Sequence, residues 1–422
     1  LPIDAMAREL IAGRGSTYAH PPANFYRALR DEQVRAEAVG QVFLGLRLQC
    51  ARCHNHPFDR WKQDDYHAFA SLFSRVRYQI VSNDKRDMLD KHEFNGEQVV
   101  YMARTGEYKH PNGSGQVAAR ILEAKEAMPA SDDPLVALAD WVGSAKNPYF
   151  AKAQANRIWR HMMGHGLVPG GDNFGAAGTP PKDPALLDWL ASEFLSHGGS
   201  TKHLIRAIAL SRTYRLGHEA DANGMEKDPD NTTWWRHERR RLDAESLRDS
   251  ILAVSGRIDL EPLRGTLLPQ SSEGPAIGPM GNGGAEVSTA KRSIYLPVLR
   301  DAAPESLALF DGADPSLIVP ERHPTTTPAQ GLFLLNNLEM VRNGEALARK
   351  VLELEGTDAQ RVAHMAKVIW NRPARPRELD TALEFLEAFT RKRGGLPQRA
   401  RVEAFGALAH AQMASADFLL VP

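Results

Sequence analysis

Segments with the periodicity of an amphipathic α-helix recur along most of this chain. From Val34 to Leu46, apolar residues return at positions i, i+4, i+8 and i+12, as they do on one buried helix face. Later segments begin with Asp133-Pro134 and Asp183-Pro184, in which aspartate suits the cap and proline the first turn of a helix. The sequence therefore predicts a mainly α fold of many helices, with two packed helical domains and a few short strands.

The same periodicity and capping residues place the other elements. A short strand is predicted at residues 97–101, and residues 262–290 form a long loop rich in glycine and proline. Further helices are predicted at residues 64–73, 148–163, 183–198, 201–214, 242–254, 328–352, 358–370, 377–391 and 398–418.

Charge and hydropathy narrow the classes of partner. The chain has 52 lysines and arginines and 52 aspartates and glutamates, so its formal net charge is zero. Such a balance gives no indication of a nucleic-acid partner. No apolar run approaches the roughly 18 residues that cross a bilayer, so the sequence predicts no transmembrane segment in this chain.

The only two cysteines belong to one pentapeptide. Cys50, Ala51, Arg52, Cys53 and His54 read C-x-x-C-H, the attachment motif of c-type haem. In that chemistry the two thiols bind the porphyrin covalently and the adjacent imidazole is the proximal iron ligand. The motif therefore predicts covalent haem c on Cys50 and Cys53, with His54 on the iron. Because attachment normally takes place outside the cytoplasm, a periplasmic, extracellular or cell-surface location is also predicted.

Two other interpretations of this segment remain open. C-x-x-C is also the usual half of a tetrahedral zinc site, which His56 and Asp59 could complete. The same spacing occurs in redox dithiols, although those normally open a helix, whereas the predicted helix here precedes the cysteines. Zinc is therefore the alternative cofactor.

The sixth iron ligand has to come from outside the motif. His56 lies too close to His54 in sequence to reach the opposite porphyrin face, so a role in fixing a ring or a propionate is more natural. His161, beside Met162 and Met163, is the first choice for the distal position. His67 is the second choice and is otherwise a surface residue. An open distal position would permit ligand binding or peroxidase-like chemistry.

Two other residue clusters each allow a purely structural and a functional interpretation. An aromatic stretch beside the motif predicts core packing, and it could also form a haem wall. A basic run predicts a solvated turn ahead of a helix, or else a site that pairs with haem propionates or an acidic partner. Arg157 beside Trp159 is similarly ambiguous. The aromatic stretch is Phe58, Trp61, Tyr66, Phe69 and Phe73, and the basic run is Arg236, His237, Glu238, Arg239, Arg240 and Arg241.

Motifs of hydrolases, zinc metalloproteases and nucleotide-binding proteins are absent from the sequence. Adjacent acids such as Asp64-Asp65 and Asp132-Asp133 suit helix caps, so no catalytic role is assigned to them.

Several longer motifs resemble a family. The segment around the cysteines and several later motifs are similar to the paired domains of unknown function 1549 and 1553, which are abundant in planctomycetes and often follow a cytochrome c domain. The matching segments are residues 43–61, 63–66, 147–151, 156–161, 164–168, 204–206, 211–214, 240–245, 292–296, 334–337 and 416–419.

The resemblance implies a division of the chain and a location. Residues 1–115 resemble the C-terminal part of the first domain, which carries the C-x-x-C-H motif. Residues 116–146 would form a linker and the first helix of the second domain, and residues 147–422 the second domain, including the loop at 262–290. The family further implies a secreted or cell-surface protein with c-type haem and no established activity.

These observations lead to one expected function and two alternatives. We expect an extracytoplasmic c-type haem protein that transfers single electrons to or from a redox partner such as a cytochrome c domain. A haem- or metal-dependent enzyme acting on a surface polysaccharide is the second hypothesis, motivated by the long loop. A cell-surface scaffold with a structural zinc site is the third.

Overall fold

A computed structural model describes residues 1–81, 85–86, 94–95, 97–129, 131–171, 173–265, 289–296, 304–393 and 397–421. Its regular structure is mainly α-helical with a few short strands, which confirms the predicted fold class. Two compact units are present, Leu1–Glu238 and Arg239–Pro422. Compact units need not follow family domains, so the domain boundaries implied by the resemblance stay a prediction.

The first unit contains nine of the described helices and a small sheet. Its helices are α1 (Ile3–Ile11), α2 (Asn24–Ala28), α3 (Glu32–Val39), α4 (Gln63–Ala70), α5 (Pro134–Val142), α6 (Phe150–Met163), α7 (Pro184–Ser196), α8 (Thr201–Ala209) and α9 (Ala222–Lys227). Its strands are β1 (Gly15–Ser16), β2 (Val76–Ile80), β3 (Lys85–Arg86), β4 (Phe94–Asn95) and β5 (Gln98–Met102).

Local capping sets several of these helix starts. The Asp133 carboxylate accepts hydrogen bonds from the backbone N–H groups of Leu135 and Val136, and proline occupies the first turn of α5. The Asp183 carboxylate accepts the backbone N–H of Leu186, and proline again occupies the first turn of α7. These two starts confirm the Asp-Pro prediction.

Antiparallel pairing organises the small sheet. Strand β5 lies between β1 and β2, and Tyr78 of β2 pairs with Val100 of β5. The strand predicted at residues 97–101 is thereby confirmed with a shift of one residue. Separately, β3 pairs with β4.

A buried arginine ties α3 to the sheet. The guanidinium of Arg35 donates to the carbonyl oxygens of Leu29, Arg30 and Phe73 and to the Tyr78 hydroxyl. Burying a cation is tolerable only when its donors are satisfied, as they are here. Helix α3 is thus fixed against the strand that follows α4.

The helix predicted to run directly into Cys50 ends earlier. Helix α3 continues as one wide turn at Gly40–Leu44 and stops at Gly45, whose φ of 66° is left-handed. The Gly45 carbonyl accepts the Phe174 N–H, and a Cβ at this position would lie 2.7 Å from the Phe174 ring. Glycine is required here by a contact distant in sequence, which periodicity cannot reveal.

The second unit contains the remaining described helices and one strand pair. The helix predicted at residues 328–352 is two helices, because Asn337 is extended and caps the second of them. Its helices are α10 (Ala244–Val254), α11 (Glu305–Leu309), α12 (Pro328–Asn336), α13 (Leu338–Leu352), α14 (Asp358–Trp370), α15 (Pro376–Arg393), α16 (Pro397–Met413) and α17 (Ala416–Leu419), and its strands are β6 (Arg240–Arg241) and β7 (Leu420–Val421).

Each unit has its own hydrophobic core, and α13 and α16 pack together in the second. Most of the loop predicted at residues 262–290 lies outside the described residues. Among the helices described, none combines the length and apolar composition needed to cross a bilayer.

Candidate functional site

The C-x-x-C-H motif begins in a tight turn on the surface of the first unit. Residues Gln49–Arg52 form one turn of 3-10 helix; Ala51 within it and Leu48 just before it are buried. Both Cys50 and Cys53 are exposed and carry free thiols. The apolar neighbours therefore anchor the turn in the core while the two sulfur atoms are accessible from solvent.

His54 is exposed, and one of its ring nitrogens is bound. Its Nδ1 lies 2.8 Å from the carbonyl oxygen of Asn55, a contact in which the ring nitrogen must be the donor. That contact assigns the proton of the neutral ring to Nδ1 and leaves the Nε2 lone pair available to a metal. A backbone carbonyl on the other ring nitrogen is a common support for a ligating histidine.

The turn is held from the side of α4. The carbonyl oxygen of Arg52 lies 3.0 Å from His67 Nε2 and accepts a 3.1 Å hydrogen bond from Gln63 Nε2. The Asn55 side chain in turn accepts the N–H of Gln63 at 2.9 Å. The start of α4 therefore fixes the backbone between the two cysteines and just after them.

His67 is fully buried, so its interpretation as a surface residue is wrong. Its Nδ1 lies 2.8 Å from the Tyr108 hydroxyl, and its ring contacts that of His110. Burial lowers the pKa of His67, because the charged imidazolium loses its hydration, although the bond to the Arg52 carbonyl opposes this. Both ring nitrogens are engaged, so binding iron would require His67 to give up one of these partners.

A cavity of about 500 Å³ lies beside the motif. Cys53 and Arg52 form one part of its wall, and His67 forms another. The remaining lining consists of Gln33, Gln63, Pro111 and Asn112.

His56 supports the loop that follows the motif. Its backbone N–H donates to the Trp61 carbonyl at 2.8 Å, and its Nδ1 accepts the N–H of Phe58 at 3.3 Å. The predicted core role is confirmed for Trp61, Tyr66, Phe69 and Phe73, which are buried, and is wrong for Phe58, which is 78% exposed.

The structure does not bring the alternative zinc ligands together. A tetrahedral site needs donor atoms within about 4 Å of one another. Cys50, Cys53, His56 and Asp59 do not supply three donors within 4.8 Å of one another. Asp59 instead lies against Gly175. Zinc at these four residues stays a prediction.

His161 lies on the last turn of α6 and is exposed, next to half-buried Met162 and buried Met163. One turn earlier, Arg157 donates hydrogen bonds to the carbonyls of Gln41 and Val42, so α6 packs beside the segment that leads to the motif. The role of His161 as distal ligand stays a prediction.

The basic run is only partly exposed to solvent. Arg239 forms an ion pair with Asp417, and the largely buried Arg241 forms one with Asp311. His237 is buried. These intramolecular partners satisfy the charges of Arg239 and Arg241, two of the four arginines in the run.

A second group of ligand-type residues lies outside any familiar sequence motif. Glu193, His197 and His203 place one donor atom each within 4.8 Å of one another, and within the described part of the chain they are the one such group of three. The spacing of Glu193 and His197, four residues apart on one helix, is the signal that could have found them.

Comparison with known proteins identifies the family. A profile described as protein of unknown function (DUF1549), with the short name PSCyt2, matches residues 1–78. No curated protein and no solved structure matches the chain. A second profile, described as protein of unknown function (DUF1553), matches residues 136–386, more than half of the chain. These matches confirm the resemblance read from the motifs, and the chain belongs to the family of proteins of unknown function DUF1553.

Proposed function

We propose that this chain carries a c-type haem, attached through Cys50 and Cys53 and ligated by His54, and that it transfers single electrons outside the cytoplasm. The observation that carries the proposal is the arrangement of the motif itself. Two free thiols are exposed on one fixed turn, and the following imidazole is held at Nδ1 by a backbone carbonyl.

The residues present fit covalent attachment. Thioether formation needs two accessible thiols, and Cys50 and Cys53 are both exposed. Axial ligation needs a histidine nitrogen that is not already bonded, and the Nδ1 contact of His54 directs its other nitrogen to that role. When bound, the haem iron would supply the one-electron redox couple.

The surroundings of Cys53 favour a haem partly exposed to water. Both Cys50 and Cys53 are exposed, so a porphyrin bound to them would keep part of its edge in water.

An exposed cofactor edge also suits exchange with another protein. A cytochrome c domain is the proposed redox partner, and the name PSCyt2 of the first matching profile supports an association with cytochromes. Since haem attachment normally takes place outside the cytoplasm, the proposal includes a periplasmic or cell-surface location. His161 is the proposed distal ligand.

The test is a pyridine haemochrome spectrum of the chain, expressed together with a periplasmic haem-attachment system. We expect a c-type spectrum that survives acid-acetone extraction and disappears in the Cys50→Ala/Cys53→Ala variant. In the absorption spectrum recorded without pyridine, His54→Ala should show a changed axial ligation of the haem. His364→Ala, which removes an exposed histidine elsewhere, should leave that spectrum unchanged.

A colourless protein would contradict the proposal, provided that a known cytochrome is matured in the same cells. Metal analysis of that protein then distinguishes the alternatives. One zinc ion that is lost in the double cysteine variant would indicate a structural site at the motif.

A further inference from the structure

The end of α7 and the start of α8 bring three metal-type ligands together. Glu193 and His197 lie four residues apart, on the last turn and the C-cap of α7. Gly198 and Gly199 follow with φ values of 61° and 67°, a left-handed conformation that turns the chain sharply. The Ser200 side chain then caps the backbone N–H of His203 in the first turn of α8.

The Glu193 carboxylate contacts both imidazoles. Its Oε1 lies 2.8 Å from His203 Nε2 and 3.5 Å from His197 Nδ1. In a tetrahedral zinc site, bonds of about 2.0–2.2 Å place neighbouring donor atoms about 3.4 Å apart. The two oxygen–nitrogen distances, 2.8 Å and 3.5 Å, lie below and above that donor–donor separation.

We propose that Glu193, His197 and His203 form a binding site for a divalent cation of the zinc class. Two imidazoles and one carboxylate match the preference of zinc for nitrogen and oxygen donors. Calcium and magnesium, which prefer oxygen ligands, do not suit this set. Three protein ligands leave the fourth position of a tetrahedron open to water.

Binding requires both imidazoles to exchange a proton for the cation and one of them to rotate. His197 Nδ1 lies 3.0 Å from the Glu193 carbonyl oxygen and His203 Nε2 lies 2.8 Å from the Glu193 carboxylate, so both nitrogens are donors in the metal-free chain. The rings of His197 and His203 are stacked, with centroids 3.6 Å apart and planes within 11° of parallel. A cation must lie near the plane of each ring that binds it, so one imidazole has to rotate about its Cβ–Cγ bond. The side chains are 45% and 32% exposed, which leaves room for that rotation.

A second carboxylate lies next to the same turn. A Cβ on Gly199 would lie 2.8 Å from Asp4 Oδ1, an oxygen that is buried and has no hydrogen-bond donor in the described part of the chain. A buried carboxylate oxygen without a donor makes the potential around the turn more negative. Asp4 thereby favours a cation nearby without being one of its ligands.

Zinc titration of the full chain tests the proposal in the Cys50→Ala/Cys53→Ala background, which removes thiol binding at the motif. At pH 7.5 we expect one zinc ion per chain by calorimetry. With cobalt as the probe we expect d–d absorption of a four-coordinate site. Glu193→Gln and His203→Ala should each weaken binding by at least about tenfold. The matched control, His364→Ala, removes an exposed histidine elsewhere and should bind zinc as the parent does.

Two results would overturn the site. One is the absence of zinc binding by the parent in the submillimolar range. The other is binding that His203→Ala and Glu193→Gln leave intact. Far-UV circular dichroism of each variant shows whether it is folded, and the conservative Glu193→Gln change keeps the test valid if His203→Ala does not fold.

Discussion

The C-x-x-C-H motif and the cluster of Glu193, His197 and His203 belong to the same compact unit but are assembled differently. The motif is contiguous, so its chemistry can be recognised from five residues of sequence. Its side chains are nevertheless exposed, and its donor atoms do not lie around one point. The cluster comes from two helices and has no familiar motif, yet its donor atoms converge. A haem brings the porphyrin nitrogens that hold its iron, so the protein has to supply only reactive thiols and an axial ligand. A bare cation is held by the protein alone, so the donor atoms of the protein have to lie around one point.

His54 and His67 also differ in how they are held. His54 is exposed with one ring nitrogen bound, while His67, thirteen positions later, is buried with both nitrogens bound. The first is suited to bind something from outside, and the second supports the turn from inside.

The largest expected effect belongs to His67. Replacing it with alanine leaves the Arg52 carbonyl and the Tyr108 hydroxyl without this partner and opens a cavity, so we expect a loss of about 2–4 kcal/mol in the free energy of unfolding. Denaturant unfolding measures it, and hydrogen exchange should show opening around residues 50–67. Tyr108→Phe, which removes only the hydroxyl, should lose about 1 kcal/mol. A His67→Ala loss no greater than that of His54→Ala would remove the distinction between them.

The pH dependence of stability should report on the same residue. Burial lowers the pKa of His67 in the folded chain below its ordinary value of 6.5. Between the lowered pKa and 6.5, the unfolded chain therefore binds more protons than the folded one. Stability contributed by neutral His67 is therefore complete above pH 6.5 and falls on acidification, by at most about 1.4 kcal/mol per pH unit. His67→Gln should reduce the pH dependence of the unfolding free energy just below pH 6.5. An unchanged slope in that variant would assign the effect to other groups.

A smaller effect should follow from the cap of α8. Ser200→Ala removes the hydroxyl that accepts the His203 N–H, which should cost about 1 kcal/mol of stability. Because the cap also fixes the position of His203, zinc affinity should fall a few-fold. Thr201→Ala is the matched control, since Thr201 is the exposed first residue of α8 and its side chain does not cap the helix. Equal zinc affinities in both variants would show that the cap does not position the ligand.

The smallest effect is expected at His54. Its side chain is exposed and bonds only to the neighbouring carbonyl, so His54→Ala should change the unfolding free energy by less than about 0.5 kcal/mol. Denaturant unfolding of the haem-free chain is the appropriate measurement. A loss above about 1 kcal/mol would mean that this imidazole supports the fold, and its assignment as a cofactor ligand would weaken accordingly.

Features that depend on neighbouring residues could be predicted from the sequence. Asp133 and Asp183 start helices because a cap acts within three residues. The helical periodicity of the apolar residues is enough to identify α3. The stop at Gly45 could not be predicted, because its cause is Phe174, which is far away in sequence.

The same limit applies to the sites. The motif identifies Cys50, Cys53 and His54 by spacing alone. The burial of His67 depends on Tyr108 and on packing across the unit, so a helical position on its own suggested a surface residue. The pairing of Arg241 with Asp311 is equally long-range, and a run of basic letters does not reveal it.

The anchoring of the Gln49–Arg52 turn has a consequence for the order of events in the maturation of this protein. Leu48 and Ala51 are part of the core, whereas the two cysteines and His54 are outside it. We therefore expect the first unit to fold before any cofactor arrives, unlike small zinc domains that remain unfolded without their metal. The cofactor-free chain would then be a long-lived species with an accessible dithiol, and in oxidising surroundings the formation of a bond between Cys50 and Cys53 would compete with haem attachment.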